Sequence, residues 1–310
     1  MNIGKKSVSF KPSTDIPSLD GKVILVTGGN IGLGKQCILE YARHNPAQLW
    51  LAARSTTKAQ AAIDEIQKQL PTPAPIKILE LDLSSLASVR TAAKKFLQEA
   101  PRLDILMLNA GIMAAPPGTT ADGFELQFGT NYLGHALLAK LLLPVLETTA
   151  KIPDSSVRIL SLTSYGHNMA PASGIDFDSL TTPADAMGPY IRYGQSKLAQ
   201  ILWTKHVAKL YPQFTFVAIH PGVVRTNLMN NATGSNCAVR VIGKVANYVV
   251  TSVERGARNQ LWASVALGVK SGMYYEPVGI GGLEAEIAKD EGLAERLWGW
   301  TEGVLGPFCG

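Results

Sequence analysis

The chain has 310 residues, 46% of them hydrophobic and 17% charged, with a formal net charge of +5. A chain of that length buries roughly 75% of its unfolded surface around a sizeable core, and its composition excludes disordered and fibrous classes. The basic residues are scattered, with no run of five or more, so no nucleic-acid partner is expected.

Residues 1–20 read as an N-terminal extension. The segment is polar, is interrupted by Pro12 and Pro17, and lacks the apolar centre of a signal peptide, so no membrane anchor is expected. From Gly21 to Gly310 no linker or change of composition divides the chain, which predicts one domain. A short apolar, β-branched run, Lys22 to Thr27, suits a buried strand at Val23 to Val26. Gly28 to Gly34 (GGNIGLG) follows at once, and then a helix from near Ile31. Further strand-like runs occur at Gln48 to Ala53, Ile76 to Leu81, Leu103 to Leu108, Val157 to Leu162, Phe214 to Ile219 and Gly272 to Glu276. Segments of helical period lie between many of them, such as Lys58 to Leu70 and Ser88 to Gln98. That alternation predicts an α/β fold, a Rossmann-type doubly wound parallel sheet in a single domain. Two long connections, Tyr165 to Pro189 and Val223 to Ser252, are candidates for functional loops. Asn227 to Val250, amphipathic and punctuated by glycine, is a candidate substrate lid.

Three features carry chemistry. Strand, glycine turn and helix in that order let the backbone approach a ligand closely and aim free N–H groups at a pyrophosphate. At the end of the second strand Ala53 and Arg54 stand where an NAD enzyme tends to carry an acid for the ribose 2′-hydroxyl; an arginine there suits a 2′-phosphate. Tyr193 and Lys197 are four residues apart, the spacing that puts them on one helix face. A cation held beside a phenolate lowers the tyrosine pKa from near 10 toward the range useful to a proton donor. Cys37, Cys237 and Cys309 show no C-x-x-C spacing, which fits reduced thiols and a cytoplasmic protein. The five histidines, His44, His135, His167, His206 and His220, make no ligand pattern, so no metal is expected.

The order of these motifs resembles the classical short-chain dehydrogenase/reductase family, from about Gly21 to Thr301, and within it the retinol-dehydrogenase-like and WW-domain-oxidoreductase-like branch. The carriers are T-G-G-N-I-G-L-G at Thr27 to Gly34, Asp82-Leu83, Asn109-Ala110-Gly111, Asn131, Ser164, Tyr193 with Lys197, and Pro221-Gly222 followed by Thr226. The resemblance implies that Ser164, Tyr193, Lys197 and Asn131 form a catalytic tetrad. Tyr193 exchanges a proton with the substrate oxygen, Ser164 orients that oxygen, Lys197 binds the nicotinamide ribose and lowers the tyrosine pKa, and Asn131 holds a water linking Lys197 to solvent. It also implies that Thr27, Gly28, Asn30, Ile31, Gly32, Leu33 and Gly34 cradle phosphates and ribose, with Arg54 on the extra phosphate of NADP. Asp82, Leu83, Asn109, Ala110 and Gly111 serve the adenosine side, and Pro221, Gly222, Val223 and Thr226 serve the nicotinamide. Many relatives carry Ser or Thr where this chain has Ile31. Asp82 also reads as a helix-start residue.

The implied activity is NADP-dependent hydride transfer between nicotinamide and the carbonyl or alcohol of a fairly apolar small molecule, possible also in a homo-oligomer. Two alternatives stay open on sequence: the same scaffold used for isomerisation or cyclisation, and a non-catalytic NADP-binding protein.

Overall fold

The computed structural model describes residues 7–224 and 251–309. The apolar run after Lys22 forms strand β1 (Val23–Thr27), with every residue buried. Val23 and Leu25 pack into one core cluster, Ile24 and Val26 into a second. A strand covered on both faces needs no polar alternation, which is why this stretch reads as continuously apolar.

Around it lie β2 (Gln48–Ala53), β3 (Ile76–Glu80), β4 (Ile105–Leu108), β5 (Arg158–Leu162), β6 (Thr215–Ile219) and β7 (Met273–Glu276). Their order across the sheet is β3-β2-β1-β4-β5-β6-β7, all parallel. An eighth strand, β8 (Ile280–Gly281), pairs antiparallel with β7. β8 was not legible in the sequence, because two residues carry no period. The fourth strand begins later than the expected Leu103. The Leu103 amide donates to Thr149 Oγ1 at 2.8 Å, and pairing between β4 and β1 starts at Ile105.

The principal helices are α1 (Gly32–Ala42), α2 (Thr56–Gln67), α3 (Leu86–Glu99), α4 (Gly134–Ala150), α5 (Pro189–Leu210), α6 (Arg258–Val265) and α7 (Glu291–Leu305). Residues of α3, α4, α5 and α7 complete the first core; those of α1, α2 and α6 complete the second. Ser55 and Ser85 cap α2 and α3 by accepting from the amides three residues on. Trp298 and Trp300 lie on α7 and pack against the first core.

A single helical turn (Leu126–Phe128) and a π turn (Gly129–Leu133) lead directly into α4. The continuous span Leu126–Ala150 is long and apolar enough to cross a membrane by length and composition. Leu137, Leu138, Leu142 and Leu146 on it are fully buried in the protein core. Because β1 lies between β2 and β4, the winding direction reverses there, and the crevice beyond the carboxyl ends of these strands is the ligand-binding position of such sheets.

Candidate active site

Six of the features singled out in the sequence fall at that edge. The glycine turn follows β1, Arg54 follows β2, Asp82 follows β3, Asn109 follows β4, Ser164 follows β5 and Pro221 follows β6. Thr226 and the lid at 227–250 lie outside the described residues. The backbone entering and leaving that segment is tied together, Thr251 N donating to Val223 O at 2.9 Å.

The glycine turn is held tightly from behind. A Cβ on Gly34 would sit 2.4 Å from Gly28 O and 2.6 Å from Asn109 Nδ2, so no other residue fits there. Gly28 N donates to Ala52 O at 2.8 Å, tying the turn to β2. The helix it feeds, α1, starts after an exposed Ile31, with no side-chain cap and no acidic residue in its first turn. Its leading N–H groups and dipole are therefore available to an anion. Asn30, Gly32 and Leu33 are partly accessible around this opening. Arg54 is exposed at the end of β2, next to buried Ala53, with no side-chain partner among the described residues. These donors suit a dinucleotide with an added phosphate, and no carboxylate stands at Ala53 or Arg54 to oppose one.

One residue expected to touch a cofactor is placed otherwise. Thr27 is fully buried. Its Oγ1 accepts from Asn109 N at 2.9 Å and Ala110 N at 3.0 Å, and lies 2.9 Å from His135 Nε2. It is a staple joining β1, β4 and α4, because every polar site of its hydroxyl is already used. Leu83 has a core side chain and its carbonyl lies against Gly134, so any contact on the adenosine side falls to its backbone N–H. Asp82 closes the turn ahead of α3 through Oδ1, which accepts from Ser84 N at 2.9 Å and Ser84 Oγ at 2.6 Å. The cap itself is Ser85. Asn109 Nδ2 donates to Thr27 O at 2.8 Å, while Ala110 and Gly111 remain partly accessible.

The catalytic candidates converge from three elements. Tyr193 and Lys197 lie on α5, both buried, with Lys197 Nζ 5.6 Å from the centre of the tyrosine ring. Ser164, just past β5, accepts from Gly166 N at 3.0 Å, and Gly166 in turn lies against the Tyr193 ring, where a Cβ would come within 2.8 Å. Gly111 packs against Lys197: a Cβ there would lie 3.6 Å from Nζ. The helix reaches this position because Gly194 lacks a side chain. A Cβ on it would come within 2.7 Å of Ala170 N and Met169 C. The short 3-10 helix after Ser164 (Tyr165–Met169) therefore lies directly against α5.

The electrostatics depart from the sequence expectation. Burial pushes the Tyr193 phenol up to about 12, opposed by the nearby Ser164 hydroxyl. Burial also brings Lys197 down to about 7. An ammonium that is half deprotonated near neutral pH lowers a neighbouring phenol less than a fully charged one would. Its hydrogens point to Leu162 O at 2.8 Å and Gln200 Oε1 at 2.9 Å.

Asn131 is fully buried in the π turn. Its side chain donates to Ile112 O at 3.0 Å and Ser196 Oγ at 2.9 Å, and accepts from Ile112 N at 2.8 Å. Its carbonyl accepts from Gln200 Nε2 at 3.1 Å and is 2.9 Å from His135 Nδ1. Both lone pairs of that oxygen are thus taken by protein. Because a carbonyl only accepts, Nδ1 of His135 carries the proton, Nε2 accepts, and the Thr27 hydroxyl donates to it. Burial depresses the His135 pKa to about 3, consistent with this neutral tautomer.

Gln200, His135 and Arg192 were missed. Gln200 and His135 had a legible signal, at three residues past Lys197 and four past Asn131 on helices. Arg192 had none. It is buried beside Tyr193, 3.3 Å from Glu125 Oε1, and it donates to Ala184 O at 3.1 Å and Ala115 O at 2.8 Å. It fastens the Tyr165 to Pro189 connection to the loop after β4. Among the described residues no group of His, Cys, Asp and Glu is arranged to hold a metal.

Comparison with known proteins agrees with this geometry. The short chain dehydrogenase family pattern matches residues 22–173. Short-chain dehydrogenase/reductase drtF of Aspergillus calidoustus is 40% identical over 305 residues, covering 94% of this chain and 95% of its own. Retinol dehydrogenase 13 of Homo sapiens is 38% identical over 299 residues, covering 93% and 86%. A solved structure of an uncharacterized protein from Mycobacterium paratuberculosis shares the fold with a TM-score of 0.71 and 30% identity, covering 94% of this chain and 96% of its own. The chain belongs to the short-chain dehydrogenase/reductase family, on its retinol-dehydrogenase-like branch. It is an oxidoreductase acting on CH–OH or C=O groups, and its family works with a nicotinamide cofactor.

Proposed function

We propose that the protein is an NADP-preferring reductase or dehydrogenase that interconverts a carbonyl and an alcohol on a fairly apolar small molecule. The observation that carries the chemistry is the placing of Ser164, through Gly166, and of Lys197 against Tyr193 at the carboxyl edge of the sheet, beside Gly111. The first-turn amides of α1, with Asn30, Ile31 and Gly32, would hold the pyrophosphate, and Arg54 the 2′-phosphate. Asp82, Asn109 and Ala110 would flank the adenosine, and Pro221, Gly222 and Val223 the nicotinamide. When bound, the cofactor supplies or accepts hydride at nicotinamide C4.

Tyr193 gives its proton to the substrate oxygen in reduction and takes one in oxidation. Ser164 holds the same oxygen by hydrogen bonding, and Lys197 supplies the positive charge that favours the phenolate. The neighbouring surface is apolar. Tyr165, Met169 and Val223 are 61%, 40% and 64% exposed, and Met169 packs beside Gly166 next to the tyrosine ring. Such a wall suits a hydrophobic aldehyde, ketone or alcohol. The test is to follow NADPH and NADH absorbance against a panel of aldehydes, ketones and quinones. Turnover with NADPH at a kcat/KM at least about tenfold above NADH is expected, the value of one lost phosphate contact. Equal use of both cofactors would overturn the NADP assignment, and no turnover across the panel would overturn the oxidoreductase chemistry proposed at Tyr193.

A further inference from the structure

Resting on that reading of Lys197, we propose that Gln200 is a positioning residue, whose carboxamide joins the Lys197 ammonium to the Asn131 carbonyl. The geometry is a closed series of donors and acceptors. Lys197 Nζ donates to Gln200 Oε1 at 2.9 Å, Gln200 Nε2 donates to Asn131 O at 3.1 Å, and the same oxygen accepts from His135 Nδ1 at 2.9 Å. Nε2 of His135 then meets the Thr27 hydroxyl at 2.9 Å. None of these residues is more than 4% exposed. Thr204 Oγ1 donates to the Gln200 carbonyl at 2.7 Å, securing the backbone from which the carboxamide projects.

An amide fits this place because it is both donor and acceptor at a separation matching its two ends. It is also neither an acid nor a base near neutral pH. The carboxamide therefore fixes the direction of the Lys197 N–H bonds without carrying a proton from Lys197 to the Asn131 carbonyl.

The surroundings of Lys197 are mostly neutral. The titratable groups facing it are Tyr193 on its own helix and His135 on α4. β5 presents the Leu162 carbonyl, and the loop after β4 presents Gly111. The bond to Gln200 Oε1 is thus one of two that favour the charged ammonium against burial.

The experiment compares Gln200→Met, which keeps the volume but has no amide, with Gln200→Ala, which leaves room for a water between two polar partners. The protonation midpoint of Lys197 is read by 15N NMR of lysine-labelled protein, its resonance assigned by loss in Lys197→Met, with thermal unfolding in parallel. No substrate or cofactor is present, so the outcome is independent of whether the proposed turnover is found. Loss of one charge-assisted bond in Gln200→Met should lower the midpoint by about one pH unit. Gln200→Ala should stay within about 0.3 unit of the parent, because water restores the bonds, although its Tm falls further. Gln200→Glu, which keeps the acceptor and adds charge, should raise the midpoint and serves as a check should Gln200→Met fail to fold. An unshifted midpoint in Gln200→Met or in Gln200→Glu would overturn the proposal. So would a larger shift in Gln200→Ala than in Gln200→Met, the order expected of packing alone.

Discussion

The cofactor cradle and the catalytic cluster open on the same edge of one sheet, yet they are held by different means. The cradle, Gly28 to Gly34, is a contiguous turn whose shape follows from missing side chains and backbone bonds to β2. The catalytic cluster gathers Ser164, Tyr193 and Gly111 from three separated segments, and depends on buried polar groups: Asn131, His135, Gln200 and Arg192. The first device tolerates water and needs only donors facing outward. The second works in a buried interior, where unpaired polar groups are costly. Thr27 belongs to both, since its hydroxyl ties the strand beneath the cradle to the histidine behind Asn131.

If the division is real, substitutions should separate binding from turnover. The largest effect is expected at the chemical step. Tyr193→Phe should cut kcat by roughly 10² to 10⁴ through loss of the proton donor, with NADPH affinity by calorimetry nearly unchanged. A variant keeping more than half of parental turnover, with chemistry rate-limiting, would remove Tyr193 from its role. Next, Arg54→Asp should weaken NADPH binding about ten- to 150-fold, the equivalent of a charge-assisted bond of roughly 1.5 to 3 kcal/mol, and spare NADH. Tighter binding of NADH than NADPH by the unmodified protein would reverse that prediction.

A pair of glycines sharpens the contrast. Gly34→Ala forces a side chain to 2.4 Å from Gly28 O and should lose cofactor affinity, whereas Gly194→Ala presses on Ala170 N and Met169 C and should lose turnover. Each should also destabilise the fold by about 1 to 3 kcal/mol. Equal losses of NADPH affinity in the two would erase the distinction. Smallest in reach is Thr27→Val, which strands two amide donors at about 1 to 3 kcal/mol and should appear as a lowered Tm.

The buried interior also has a pH signature. The unfolded chain keeps Lys197 protonated up to its ordinary 10.5, while the folded chain releases the proton near 7. Between those values the unfolded state binds more protons, so this group's contribution to stability rises with pH. Above about pH 10 Tyr193 acts in the opposite sense, since its folded pKa is raised to about 12. Thermal unfolding of the parent and of Lys197→Met across pH 6 to 10 should give a difference that grows in the parent's favour as pH rises. A flat difference would mean that Lys197 is not held in a desolvated site.

Local pattern determined much of this protein. Continuous apolar runs gave seven parallel strands at nearly their observed positions, because a strand buried on both faces has no choice but to be apolar. The glycine turn and the helical spacing of Tyr193 and Lys197 were equally legible, since each lies within one stretch of chain. Tertiary structure decided what those residues do to one another. Whether Thr27 faces a ligand or a staple, which protein groups Asn131 binds, and whether Lys197 is a strong cation or a desolvated one depend on groups up to 108 residues distant, as with Thr27 and His135. Hydrogen-bond saturation and desolvation are properties of an enclosed volume, and no short window of sequence encloses one.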